Sequence, residues 1–118
     1  MFILRSIVLS SARFEKLERV TVAFCDGLEN ILSSSIATNL PKLRKLIIDN
    51  CEMIEVIVVS DKENDAGELA FLKLEFLRLY NLPHLRSFYK GSYNLKFPLL
   101  QKLVVGKCDM IELSQMEC

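Results

Sequence analysis

Residues 40–58 read LPKLRKLIIDNCEMIEVIV, and their apolar positions keep neither a helical nor a strand rhythm from end to end. Leu43, Leu46, Ile48, Cys51, Ile54 and Ile57 are spaced by three, two, three, three and three residues. An amphipathic helix would alternate threes and fours, and a half-buried strand would hold to twos.

The rhythm returns in three other segments that align without gaps: FEKLERVTVAFCDGLENIL (14–32), FLKLEFLRLYNLPHLRSFY (71–89) and FPLLQKLVVGKCDMIELS (97–114). All obey [FL]-x-x-L-x-x-[LV]-x-[LVI]-x-x-[CL]-x-x-[LI]. The first Leu falls at Leu17, Leu43, Leu74 and Leu100, giving periods of 26, 31 and 26 residues. Such periods, with an L-x-x-L-x-L-x-x-N/C core, are those of a leucine-rich repeat.

The alternating end of L-x-x-L-x-L predicts a short strand whose apolar residues point inward and whose neighbours face solvent. The spacings of three that follow suggest a tighter, helical or 3₁₀-like return. Stacked copies would bury Val20, Leu46, Leu77 and Leu103 in one row and Val22, Ile48, Leu79 and Val105 in the next. A further row, Phe14, Leu40, Phe71 and Phe97, would close the core from the return side. The expected fold is an α/β leucine-rich-repeat solenoid of about four repeats, with a parallel β-sheet on the concave face and short helical or irregular returns on the convex face. Its domain runs over 14–114, with strands near 18–22, 44–48, 75–79 and 101–105. Residues 1–13 are the end of a preceding repeat or a flank, and 115–118 a tail.

Between repeats, SSSIATN (33–39) is small and polar, and Pro41 and Pro98 hold equivalent slots where the chain re-enters the strand. The longer period comes from SDKENDAGEL (60–69), an acidic excursion that reads as a solvated loop, with an acidic contact as the sharper alternative.

With 118 residues, 51% of them apolar, the chain is one domain with enough apolar mass for a core. Fifteen basic and fifteen acidic side chains cancel, so no global field draws it to nucleic acid or to an anionic membrane. Its apolar runs fall far short of the roughly 20 residues a bilayer requires, so no membrane insertion is expected. Arg5 interrupts the apolar start MFILRSIVLSSA, and no Asn begins an N-x-[ST] sequon, which fits a cytoplasmic location. With no polar cap foreseen at either end and the last strand at an open edge, marginal stability or aggregation is expected of the isolated chain.

Cys25, Cys51 and Cys108 share one slot of the repeat, filled by Leu82 in the third copy. A slot open to Cys or Leu asks for a compact apolar side chain, so these are read as buried thiols and no metal site is assigned. Cys25 and Cys51 would lie in adjacent coils, within reach of a disulfide that a reducing compartment disfavours. Cys118 is left over at the terminus. His84, in NLPHL, reads as a turn residue. No phosphate loop, G-x-G-x-x-G, G-x-S-x-G or H-E-x-x-H occurs, so neither catalysis nor a cofactor is expected.

What remains is the outward side of the strands. Its columns are Glu18, Arg44, Glu75 and Gln101; then Arg19, Lys45, Phe76 and Lys102; then Thr21, Ile47, Arg78 and Val104; then Ala23, Asp49, Tyr80 and Gly106. Aromatic and Arg side chains exposed together are favoured at protein interfaces. The candidate protein-binding face is therefore Arg19, Arg44, Lys45, Ile47, Asp49, Phe76, Arg78, Tyr80 and Lys102. Glu18 and Glu75 interleave with the cations and argue against a phosphate-backbone track.

The form [FL]-P-x-L-x-x-L-x-[IV]-x-x-C-x-x-[IL]-E, seen in FPLLQKLVVGKCDMIEL and LPKLRKLIIDNCEMIEVIV, resembles the C-terminal leucine-rich repeats of plant coiled-coil-type nucleotide-binding disease-resistance receptors. The irregular period and charged insertion fit as well, over 14–114. The resemblance implies a sensing and autoinhibitory module that contacts a pathogen effector, a guarded host protein or the receptor's own nucleotide-binding domain. ATP binding is not implied, because the phosphate-binding motif of such receptors is missing here. An alternative is the substrate-recognition repeats of an F-box-type ubiquitin ligase. Those tend to carry I-T-D-x-G-L and C-P-x-L, where this chain has DGLENIL, EMIEVIV and DMIELS after the strand and LPKL or FPLL before it.

Overall fold

The computed structural model describes residues 3–4, 17–27, 29–33, 40–59, 68–90 and 94–111. Ten strands carry these segments: β1 (Ile3–Leu4), β2 (Arg19–Ala23), β3 (Leu32–Ser33), β4 (Lys45–Asp49), β5 (Val56–Val59), β6 (Glu68–Ala70), β7 (Phe76–Tyr80), β8 (Ser87–Lys90), β9 (Asn94–Lys96) and β10 (Lys102–Gly106).

They form three parallel ladders: β1-β2-β4-β7-β10, β3-β5-β8 and β6-β9. In the largest sheet Val20 pairs with Leu46, Leu46 with Leu77, and Leu77 with Leu103. The row Val22, Ile48, Leu79 and Val105 is aligned in the same way. The predicted inward rows are therefore real columns of the sheet. Leu46, Ile48, Leu77 and Leu79 are fully enclosed, while Leu103 and Val105 on β10 are only partly covered.

Each of these strands starts one residue later than the 18–22, 44–48, 75–79 and 101–105 of the sequence reading. The carbonyls of Glu18, Arg44 and Glu75 each accept two amides of the next strand's first turn. Glu18 takes Arg44 N at 2.8 Å and Lys45 N at 3.0 Å, and Arg44 and Glu75 repeat the pattern. Regular one-to-one pairing begins only after this shared acceptor.

The returns differ from the helical or 3₁₀-like path. Among the described residues they hold no helix and are built of β-turns and strands. A spacing of three is also the span of a β-turn, in which residue i accepts the amide of i+3. Leu43 N bonds to Leu40 O at 3.4 Å, Leu74 N to Phe71 O at 3.4 Å, and Leu100 N to Phe97 O at 3.1 Å. A second set of corners closes at Leu82–Leu85, at 3.1 Å, and at Cys108–Ile111, at 3.4 Å. The prolines fit this reading: Pro41, Pro83 and Pro98 each occupy position i+1, where the fixed φ suits the turn and no amide is lost. Beyond the second corner the β-branched run Val56–Val59 has a strand's preference, and it pairs with β3 and β8.

The last residue before the second corner stands in the left-handed region at every strand: Phe24 (φ 56°), Asn50 (54°), Asn81 (53°) and Lys107 (51°). Asn tolerates this conformation better than most residues. The amides of Phe24, Asn50 and Asn81 bond to the carbonyls of Asp49, Tyr80 and Gly106 at 3.2, 3.0 and 2.9 Å, so the reversal stays in the ladder.

The core lies between the sheets. Leu40, Phe71 and Phe97 are buried, as the third row requires. Phe71 and Phe97 stack with centroids 5.5 Å apart, and Phe88 from β8 meets both edge-on. Residues 60–67 of the acidic excursion, Phe14 and Cys118 lie outside the described residues, while Glu68–Ala70 form β6 against β9. Among the described residues no helix is long and apolar enough to cross a membrane.

Candidate protein-binding face

The strands β2, β4, β7 and β10 present their first, third and fifth residues outward because side chains alternate along a strand. The burial of β4 and β7 alternates accordingly, so Lys45, Ile47, Asp49, Phe76, Arg78 and Tyr80 are all half-buried. Register brings the predicted columns together: Arg19 with Lys45, Lys45 with Phe76, Phe76 with Lys102, and Asp49 with Tyr80.

Three groupings result. At the strand starts the Arg44 guanidinium bonds the Glu75 carboxylate through Nε at 3.0 Å and Nη2 at 3.3 Å, with Glu18 at 4.0 Å on the other side. The hydrogen bond to Arg44 holds the Glu75 carboxyl below its ordinary value, and the same bond raises Arg44. One residue on, Lys45 Nζ and Lys102 Nζ stand 5.1 and 6.0 Å from the centroid of the Phe76 ring. Cations are drawn to the negative face of an aromatic ring at such distances.

Nearer the strand ends, Arg78 Nε donates to Asp49 Oδ1 at 3.2 Å, and its guanidinium carbon lies 4.9 Å from the Tyr80 centroid. Lys107 Nζ approaches the same ring at 5.6 Å. Gly106 lies beside it: a Cβ there would be 3.7 Å from Tyr80 Cδ1, an ordinary contact. Ile47 takes its place between Thr21 and Arg78. Arg19 is exposed at the head of β2 and joins none of these groupings.

The sequence reading missed Lys107. It follows the strand, where alternation no longer says which way a side chain points; its backbone is left-handed and its Nζ reaches the Tyr80 ring. Phe24, in the same backbone position, is 76% exposed. An aromatic so exposed where folding does not need it was legible only as a break in the Asn50 and Asn81 pattern.

The other singled-out residues brace the scaffold. Cys25, Cys51 and Cys108 are buried and in no disulfide. Cys51 Sγ donates to Asp49 O at 3.3 Å, and Cys108 Sγ to Gly106 O at 3.2 Å and Leu79 O at 3.5 Å. Burial pushes both thiols up from their ordinary value. His84 Nδ1 lies 2.7 Å from Glu52 O, and since a carbonyl only accepts, Nδ1 carries the proton and ties one corner to the next. Among the described residues no group of three or more His, Cys, Asp or Glu comes together to hold a metal ion.

The family model for the leucine-rich repeats of RPS2-like plant disease resistance proteins matches residues 3–113. The chain belongs to this family of leucine-rich repeats of plant disease resistance proteins. Family members from Arabidopsis thaliana are similar along most of it. The probable disease resistance protein At1g12290 is 35% identical, over 88% of this chain and 11% of its own length. Disease resistance protein SUMM2 is 36% identical over 88% and 12%, and disease resistance protein UNI 37% over 83% and 11%. The chain thus spans about a tenth of the length of these relatives. No solved structure matches it.

Proposed function

We propose that the chain is a non-catalytic protein-recognition module of an intracellular, cytoplasmic plant immune receptor, a solenoid of about four repeats that meets its partner on the β2-β4-β7-β10 face. The partner is a pathogen effector, a guarded host protein or the receptor's own nucleotide-binding domain. The observation that carries this reading is the pair of half-buried aromatic rings on β7, Phe76 flanked by Lys45 and Lys102 of the adjoining strands and Tyr80 by Arg78 of its own strand and by Lys107. Aromatic and Arg side chains presented together supply most of the energy at protein interfaces. Membership of the disease resistance family supports the receptor reading over the F-box one.

The test is proximity labelling in leaf tissue with the full chain as bait. A Lys45→Glu/Arg78→Glu variant should lose proteins that the wild type labels, and a Glu55→Lys variant on an exposed corner should keep them. Identical sets from both variants would remove the face from the account. Turnover of ATP by the purified chain would overturn its non-catalytic character.

A further inference from the structure

We infer that the partner supplies an acidic segment with an apolar residue between its carboxylates, laid across the starts of β4, β7 and β10 so that the apolar side chain covers Phe76. The inference rests on the reading of this sheet as a protein-binding face and adds the chemistry of what binds there.

The charge balance of the face points to this partner. Arg44 and Arg78 are already matched, by Glu75 and Asp49. Among the described residues, no carboxylate comes within ion-pair distance of Arg19, Lys45, Lys102 or Lys107. Glu18 is the one face carboxylate held only loosely, at 4.0 Å from Arg44. The outward surface therefore carries a local excess of positive charge on a chain whose formal charge is zero.

Among the described residues, part of the opposite charge lies just past the strands. Turns leading into the strands expose Lys42 and Lys73, and corners leaving them expose Asp26, Glu52 and Asp109. Along β4 the surface runs from basic, at Lys42, Arg44 and Lys45, to acidic, at Asp49 and Glu52, while β7 and β10 keep Arg78 and Lys107 toward their ends. An anionic ligand is drawn to the starts of β4 and β10, where Lys45 and Lys102 have no carboxylate partner among the described residues.

Geometry sets the pattern of the segment. Lys45 and Lys102 flank Phe76 from the two neighbouring strands, so their attachment points stand roughly 10 Å apart. In an extended peptide, residues i, i+2 and i+4 share one face at steps of about 6.7 Å. Acid-x-apolar-x-acid places the apolar residue over the ring and one carboxylate toward each ammonium group. Two rings on one strand, Phe76 and Tyr80, with Glu18 and Glu75 interleaved among the cations, offer no continuous track for a phosphate backbone.

Fluorescence anisotropy of the full chain tests this with labelled probes: Gly-Glu-Ser-Leu-Ser-Glu-Gly, the same peptide with Lys for Glu, the same with Gly for Leu, and an oligothymidylate of similar length. The acidic Leu peptide should bind at least about tenfold more tightly than the Lys peptide and severalfold more tightly than the Gly peptide, and weaken as salt rises. Lys45→Gln/Lys102→Gln should weaken it about tenfold with an unchanged circular dichroism spectrum, and Asp26→Asn/Glu52→Gln/Asp109→Asn should tighten it about twofold.

Equal binding of acidic and basic peptides, stronger binding of the oligonucleotide, or no binding at millimolar peptide each overturns the inference. So does insensitivity to the Lys45 and Lys102 changes. The protein-recognition reading stands or falls separately, on whether the Lys45→Glu/Arg78→Glu bait loses its labelled proteins in leaf tissue.

Discussion

Replacing Asn50 with Val and, separately, with Gly should split the cost of the reversal after β4 into its parts. Asn50 holds φ 54°, and its Oδ1 accepts a 2.7 Å hydrogen bond from Asn81 Nδ2. Both variants lose that bond, which at an exposed site contributes about 0.5 kcal/mol, the low end for a hydrogen bond. Only Val adds the clash of a branched Cβ in the left-handed region, about 1–2 kcal/mol. Asn50→Val should therefore lose about 2 kcal/mol and Asn50→Gly no more than about 0.5. For a domain of this size that separates the two melting temperatures by roughly 5–8 °C. Thermal melts followed by circular dichroism, with urea titrations to show an unchanged slope, measure it. Melting temperatures within 2 °C of each other would mean that the reversal at position 50 is not a fixed left-handed residue, and the ladder description of the corners would fail.

Leu77→Ala, at a fully enclosed position of the central strand, should cost about 2–5 kcal/mol in a urea titration, while Arg78→Ala beside it should cost less than about 1. Gly106→Ala should be tolerated and gain about 0.4–1 kcal/mol, since the added Cβ meets Tyr80 only at 3.7 Å; a clear loss would show that the ring is packed more tightly than that. Cys51 and Cys108 have thiol pKa values raised by burial, so the folded chain keeps these protons after the unfolded chain has begun to lose them. Their contribution is complete below the ordinary thiol range and is lost as pH rises through the folded values. The urea midpoint should fall between pH 7.5 and 9.5, and less so in Cys51→Ala/Cys108→Ala.

The inward and outward columns of the large sheet could be read before any coordinates existed, because strand alternation and a gapless repeat leave one register that buries Leu46, Leu77 and their row mates. The returns were less legible. A spacing of three, as from Leu40 to Leu43 or Cys51 to Ile54, suits a helical turn and a β-turn alike, and periodicity does not separate them. Pro83, at i+1 of the Leu82–Leu85 corner, was a signal for the turn that the sequence reading did not use. On the face, the columns told which side chains share a side but not which pair. That Arg44 bonds Glu75 while Lys45 and Lys102 turn to Phe76 depends on reach and rotamer, which the pattern does not encode.

The central claim, that this sheet face is where the chain meets protein, is tested most directly by photo-crosslinking in leaf tissue. The full chain would carry benzoylphenylalanine in place of Phe76 or, as a control, in place of Leu72, which is 62% exposed on a turn outside the face. The account predicts discrete crosslinked proteins from position 76 and none from position 72. Crosslinks from position 72 with none from position 76 would contradict it.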